Sequence, residues 1–378
     1  MVSELLSEEV KKEVVVEAPG RINLIGEHID YNGGHVLPAA IGHRIAMSFT
    51  KTAGHTCVIH SKNYNDTFTI DLTKVQPSAT EWHNYILGVL HHIDAIRPNS
   101  ISGFICELES NLPIGAGISS SAALECGIAK GLNQLFNLGL TDIEIIKISQ
   151  KAEHTYVGTQ CGIMDQFAVV MGKKGKVIKL NCDTLQYDYI NADFKDYQLV
   201  LINTNVSHNL ASSEYNTRRK ECETALEAIN QKYPEYKDLV AVPQAVIEEF
   251  KETLPANIYN RALYVTQENQ RTLLASEALH KGNLEAFGEY LYQSHEGLQH
   301  LYEVSCEELD FLVAYAKNHK KVLGSRMMGG GFGGCTINLI HTSIVDTYLK
   351  DLAVAYTNEF NLTMDCIEVS IGEGVSIL

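Results

Sequence analysis

The sequence is expected to give an α+β protein of mixed sheets with packed helices, mixed in its first half and helix-rich in its second. Short β-branched runs recur through residues 14–72 and at 176–203, whereas residues 212 to about 317 carry mainly helical patterns. Strand-like runs return at 336–340 and 365–371. With 378 residues the chain is long enough for two to three domains. The change of character near residues 185–200 divides it into an expected domain of residues 1–190 and another of 191–378.

Residues 14–17 form a β-branched run that stops at Pro19-Gly20, which reads as a strand entering a turn. Residues 41–72 look like antiparallel strands, with turn signals at Ala53-Gly54 and at 63–66. The run 81–96 puts Trp82, Tyr85, Leu87 and Val89 on a helix, and 122–135 forms another. Thr141 and Glu144 precede Ile145, Ile146, Ile148 and Ala152, a capping-box pattern that opens a helix. Strands follow at 176–179 and 198–203. Ser305 and Glu308 repeat the capping-box spacing further on. No internal repeat, low-complexity tract or long linker intervenes.

Composition narrows the classes of function. Apolar residues at 45% with charged residues at 20% are ordinary for a soluble globular protein. A net charge of −16 argues against a nucleic-acid or anionic-membrane surface, though it leaves room for a local basic pocket. No segment has the uninterrupted apolar length of a membrane span, and residues 1–13 are too polar and acidic for a secretory signal. Nine cysteines without a C-x-x-C pair read as reduced, mostly buried thiols. A cytoplasmic protein is expected.

The most informative stretch is Leu112-Pro113-Ile114-Gly115-Ala116-Gly117-Ile118-Ser119-Ser120-Ser121-Ala122-Ala123, a glycine turn and serine cluster running into a helix. Small residues leave backbone N–H groups uncovered, and a helix start adds partial positive charge, so together they make a seat for phosphate. A hydroxyl at the last serine would reach a metal riding on that phosphate. The same residues also suit an ordinary glycine turn capped by serine. No Gly-Lys-Ser/Thr follows, and no His-Arg-Asp or Asp-Phe-Gly occurs, which excludes the P-loop and protein-kinase patterns.

A second glycine cluster, Gly329-Gly330-Gly331-Phe332-Gly333-Gly334, matches G-x-G-x-x-G by count but leads into a strand-like run rather than a helix. The dinucleotide reading therefore fails on context, leaving a loop whose backbone closely approaches a ligand or another segment. Arg21, Glu27, His28 and Asp30 fall within ten residues of a turn-rich segment. They suit a polyhydroxylated ligand, which needs fixed acceptors for its O–H groups, and they equally suit a solvated loop of mutual salt bridges. Asp165 stands at the head of a helix after Gly162, either balancing the helix dipole or orienting a hydroxyl nucleophile. Glu153 ends the preceding helix and wants a compensating cation, which a bound metal or Lys151 would supply.

These blocks together resemble the GHMP small-molecule kinases, and within them the galactokinase family. Residues 19–32 resemble that family's sugar signature, 112–123 its phosphate loop and 328–335 its third, glycine-rich motif. Residues 161–167 and 212–215 read as further blocks of the same family. The resemblance implies the two-domain GHMP kinase fold with the active site in the cleft between domains. It also implies ATP-dependent phosphorylation of D-galactose at the anomeric hydroxyl, assisted by Mg²⁺.

Carried over by position, Asp165 matches the catalytic aspartate and Arg21 the arginine beside it. Glu27, His28, Asp30, Gly162 and Tyr215 match sugar-binding positions. Gly115, Ala116, Gly117, Ile118, Ser119, Ser120, Ser121 and Ala122 match the ATP phosphate loop, Trp82 and Tyr85 the adenine pocket, and Ser121 with Glu153 the magnesium pair. A monomer acting on small molecules alone is implied. A kinase for N-acetylgalactosamine or arabinose would keep the phosphate machinery and alter the sugar pocket. A non-catalytic sugar sensor of the same family would have lost the Ser121-Ala122 dipeptide, which this chain keeps.

Overall fold

The computed structural model describes residues 13–113, 115–207 and 211–378. Ile114, the side chain of Ser212 and the polar segment before residue 13 lie outside the described residues. In chain order the strands are β1 (Glu13–Asn23), β2 (His35–Val36), β3 (Pro38–Lys51), β4 (Thr56–Ser61), β5 (Asp66–Asp71) and β6 (Phe104–Ser110). Then come β7 (Lys176–Asn181), β8 (Tyr187–Asn191), β9 (Tyr197–Ser207), β10 (Val322–Met328), β11 (Gly333–His341), β12 (Asp365–Val369) and β13 (Ser376–Ile377). The helices are α1 (Glu81–Ile96), α2 (Ser120–Phe136), α3 (Asp142–Ala152), α4 (Met164–Met171) and α5 (Ala211–Asn230). They continue with α6 (Gln244–Glu249), α7 (Ala256–His280), α8 (Leu284–Gly297), α9 (Glu307–Lys317) and α10 (Val345–Phe360).

A six-stranded sheet of order β13-β1-β3-β6-β4-β5 carries the first half. Val14, Val16 and Ala18 of β1 turn inward while Val15 and Glu17 are less buried, the alternation expected of a half-covered strand. The strand does not stop at Pro19-Gly20. Its pairing with β3 shifts register between Pro19 and Arg21 and continues to Asn23. The shift absorbs proline's missing N–H and turns the strand toward the site, so Arg21 lies on a strand and not in a turn. A Cβ at Gly20 would meet Leu112 and the Ile118 carbonyl, so glycine lets the glycine–serine loop lie directly on β1.

The strands of residues 41–72 are not all neighbours. β6 inserts between β3 and β4, antiparallel to the first and parallel to the second, so only β4 and β5 form a hairpin. Helix α2 packs on β1 and β3, with α1, α3 and α4 around it. At Gly131 of α2 a Cβ would run into the Phe49 ring, so glycine brings this helix close to the sheet. The Thr141–Glu144 capping box forms as expected. The one expected at Ser305–Glu308 does not: Cys306 is the N-cap of α9, and Ser305 Oγ donates instead to Asp310 Oδ1 at 2.5 Å. A carboxylate is the stronger acceptor and takes the hydroxyl from the helix end.

The second half is built on the antiparallel sheet β10-β11-β9-β12, with α8 and α9 packed on β10. A small sheet, β2-β7-β8, lies beside the first half. β13 returns to pair with β1, Val16 opposite Ile377, and the Leu378 N–H donates to the Val15 carbonyl at 3.0 Å. All nine cysteines are free thiols, and only Cys366 is exposed. Among the described residues no helix is long and apolar enough to cross a membrane.

Candidate active site

Arg21, Glu27, His28, Asp30, Ser121, Glu153, Asp165 and Tyr215 line one cavity, together with Gly329 and Gly330 of the second glycine cluster. β1 delivers Arg21, the loop after it delivers Glu27 to Asp30, the start of α2 delivers Ser121, and the first turn of α4 delivers Asp165. Trp82 and Tyr85 line an adjoining cavity with Ser120 and Ser121, so Ser121 stands on the wall of both. In that second cavity Trp82 stacks on Tyr64, with ring centroids 5.6 Å apart at 29°.

Arg21 grips Asp165 with two arms, Nε to Oδ1 at 2.7 Å and Nη2 to Oδ2 at 2.8 Å. Its third arm, Nη1, donates to the Gly117 carbonyl at 2.6 Å, and its backbone N–H donates to Ile118. Burial works against the guanidinium's charge, but the carboxylate of Asp165 outweighs it and holds Arg21 firmly protonated. Ser119 Oγ also donates to Asp165 Oδ2, from a residue with φ of 55°. One carboxylate is thereby fixed against the glycine–serine loop. Gly115 and Gly117 supply the positive φ angles, 73° and 65°, that turn this loop over the start of α2.

The signature loop is clamped from the second half. Glu27 accepts from Asn23 Nδ2 at 2.7 Å, from the Gly329 N–H at 2.7 Å and from Arg326 Nη2 at 3.1 Å. Arg326 is fully buried and also donates to the carbonyls of Leu24 and Asn23. A Cβ at Gly329 would stand 3.3 Å from the Gly117 carbonyl. The second cluster's close approach is therefore to the first glycine loop, and Gly331 similarly packs on Val304.

Both ring nitrogens of His28 are engaged: Nδ1 with Tyr31 Oη at 2.8 Å and Nε2 with the Gly330 carbonyl at 3.1 Å. A carbonyl only accepts, so Nε2 carries the hydrogen and Nδ1 accepts from Tyr31. Burial pushes the imidazole down to about 3, and His28 is neutral at physiological pH. Tyr31 Oη in turn meets Tyr302 Oη at 2.8 Å, and the His28 and Tyr215 ring centroids lie 5.2 Å apart. Neither tyrosine contact is visible in sequence spacing.

Asp30 is pushed up to about 7, first by burial and then by the nearby Asp165 and Glu27 carboxylates. Gly162 lies so close to its carboxyl that a Cβ there would collide with it. The unfolded chain ionises Asp30 near its ordinary 3.8, whereas the folded chain holds the proton to about 7. This residue's contribution to stability therefore falls as pH rises from about 4 to about 7 and is level above. We expect Asp30→Asn to be stabilised relative to the parent at pH 8 and little changed at pH 4, in denaturant unfolding of the ligand-free protein. Parallel pH curves for the two proteins would count against a buried acid here.

Glu153 is pushed up to about 7, chiefly by burial, while a hydrogen bond from Ser121 pulls the other way. Lys151 is exposed, and among the described residues no ion pair joins it to Glu153. The Ser121 hydroxyl and Glu153 carboxyl offer oxygen donors on the cavity wall, a set that suits a hard cation completing its shell with water and phosphate oxygens. Among the described residues no three His, Cys, Asp or Glu side chains gather into a metal cage. Sequence reasoning misses Asn23, Arg326, Glu125 and Gln166. The one signal for Arg326 and Glu125 is a lone charge within an apolar run.

Comparison with known proteins identifies the fold and the family. Residues 84–173 match the model of the GHMP kinases N terminal domain, and 275–345 that of the GHMP kinases C terminal. Mevalonate kinase from Methanococcus jannaschii shares the fold, with a TM-score of 0.65 at 18% identity over 95% of this chain and 98% of that one. Fold and site together define a GHMP small-molecule kinase.

Residues 4–51 match the galactokinase galactose-binding signature. The Thermotoga maritima galactokinase is 40% identical over 95% of this chain and 99% of its own length, and that of Clostridium tetani 41% over 94% and 91%. The structure of the Lactococcus lactis galactokinase complexed with galactose superposes with a TM-score of 0.94 at 34% identity, covering 100% of this chain and 97% of that one. The chain belongs to the galactokinase family and is a kinase.

Proposed function

We propose that this protein transfers the γ-phosphoryl group of ATP to the anomeric hydroxyl of D-galactose, giving galactose 1-phosphate and ADP. The observation that carries this reading is the Arg21 guanidinium, bonded at once to Asp165 and to the Gly117 carbonyl of the glycine–serine loop. A proton acceptor and an anion seat are thereby set a few ångströms apart in one buried cavity.

The chemistry follows from those groups. Glu27, His28, Asp30 and Tyr215 hold the sugar and Gly162 lies against it, with His28 also fixing Gly330 and the tyrosine cluster behind it. Asp165 takes or orients the anomeric proton as the sugar oxygen bonds to the γ-phosphorus and the bridge to ADP breaks in line. Arg21, with only part of its charge spent on Asp165, and the amides at the start of α2 oppose charge gathering on the transferring group. Trp82 and Tyr85 flank adenine in the adjoining cavity. Ser121 and Glu153 would hold Mg²⁺, which supplies charge relief on the nucleotide's phosphates when bound.

The domain division at 1–190 and 191–378 is supported by the separate six-stranded and four-stranded sheets, with two exceptions: β13, which crosses back, and β8, which ends one residue past the boundary. The nine free thiols suit a reducing, cytoplasmic setting.

A panel of monosaccharides with Mg-ATP tests the assignment, following ADP release and locating the new phosphate by phosphorus NMR. Galactose 1-phosphate is the expected dominant product. Preference for N-acetylgalactosamine or arabinose, phosphate at C6, or binding without turnover would each overturn it.

A further inference from the structure

Beneath the residues that line the cavity lies a carboxyl that the mechanism does not use. Glu125 sits on α2 one turn after Ser121, in the helical run that otherwise packs apolar residues on the sheet. It is fully buried, and among the described residues no ion pair joins it to Lys or Arg. A buried carboxylate without a cation is costly enough that such groups take up a proton instead. The nearby charges, Glu153 and Asp165, push in the same direction as burial, toward the neutral acid.

The neighbour that faces Glu125 is Gln166 of α4, also fully buried, whose Nε2 lies 3.5 Å from Glu125 Oε2. One atom on each of these side chains is buried without a partner: Glu125 Oε1 and Gln166 Oε1. Two oxygens that only accept cannot satisfy each other. A carboxylic acid changes this, since its O–H donates to the amide oxygen while its carbonyl accepts the amide N–H. One proton shared between the two side chains would complete both unsatisfied groups.

We propose that Glu125 and Gln166 form a two-armed acid–amide pair that positions Asp165 and Ser121 for phosphoryl transfer. Gln166 follows Asp165 directly on α4, and Glu125 lies four residues from Ser121 on α2. The pair therefore ties together the two helix starts that carry the proton acceptor and the phosphate-loop hydroxyl. Neither residue touches the reacting atoms, so both are positioning residues. The inference rests on the kinase reading above and deepens it.

Two variants and one spectrum test it. Glu125→Gln keeps shape and neutrality and pairs with Gln166 as amide with amide, so kcat and the KM values should stay close to the parent's. Glu125→Leu removes both arms; kcat should fall on the order of 10²-fold, the cost of a small misplacement of reacting groups, with KM for either substrate much less affected. Infrared difference spectra of the ligand-free parent against Glu125→Gln, near pH 7.5, should contain the carbonyl stretch of a protonated acid. That readout needs no substrate and no Leu variant, so it separates failure of this pairing from failure of the galactose assignment. A carboxylate stretch in its place, a Gln variant as impaired as the Leu variant, or a folded Leu variant with parental kcat would overturn the proposal.

Discussion

Asp165→Asn is expected to lower kcat by about 10³-fold, within the range for losing a positioned acid or base, while galactose binding stays close to that of the parent. Asparagine nearly reproduces the shape but cannot receive a proton. It also offers one oxygen where Arg21 now finds two, at 2.7 and 2.8 Å, so one arm of the guanidinium faces an amide NH₂. The orphaned donor adds a stability loss of about 1–3 kcal/mol. Steady-state kinetics beside calorimetric titration with galactose checks both halves of the expectation. Turnover near the parental rate would reduce Asp165 to a partner for Arg21.

Glu27→Leu carries the other large effect, and it falls first on stability. The substitution strips the Arg326 guanidinium, wholly buried, of the carboxylate paired with it among the described residues, and takes the acceptor from Asn23 and from the Gly329 N–H. Breaking a buried pair from one side costs about 3–5 kcal/mol. Glu27→Gln retains an acceptor for Gly329 and should lose distinctly less. Denaturant unfolding of the two variants gives the comparison directly. A loss below about 1 kcal/mol for the Leu variant, the size of an ordinary neutral hydrogen bond, would mean that the backbone carbonyls around Arg326 suffice to hold its charge.

Much of this molecule is legible in its amino-acid order alone. The helix at 81–96 can be placed to the residue, because its apolar spacing is regular and Thr80 and Arg97 flank it. The Thr141 capping box is likewise local, needing only residues three apart. What escapes is non-local. The insertion of β6 between β3 and β4 is decided by packing across more than forty residues, and nothing within the 41–72 run signals it. The strand β10 lacks a β-branched run, and it is a strand because β11 supplies its partner. The proline in β1 suggests a stop, yet a register shift lets the strand carry Arg21 into the cavity.

The site divides the same way. Glycine–serine and acidic clusters are contiguous in the chain, so the signature loop, the phosphate loop and Asp165 can be singled out by eye. The partners that hold them are hidden by distance along the chain. Arg326 reaches Glu27 across 299 positions, and Gln166 reaches Glu125 across 41. A lone arginine among methionines and a lone glutamate among alanines are weak hints until the fold puts each beside its mate.

The return of β13 to β1 has a bearing on how the molecule is made. The outer edge of β1 has its N–H and C=O groups capped by residues 376–377. During synthesis that edge stays open while more than three hundred intervening residues emerge, a bare template for pairing with other nascent chains. Synthesis of residues 376–377 seals it, so substitutions that break this last pairing should be felt as aggregation during expression rather than as altered catalysis.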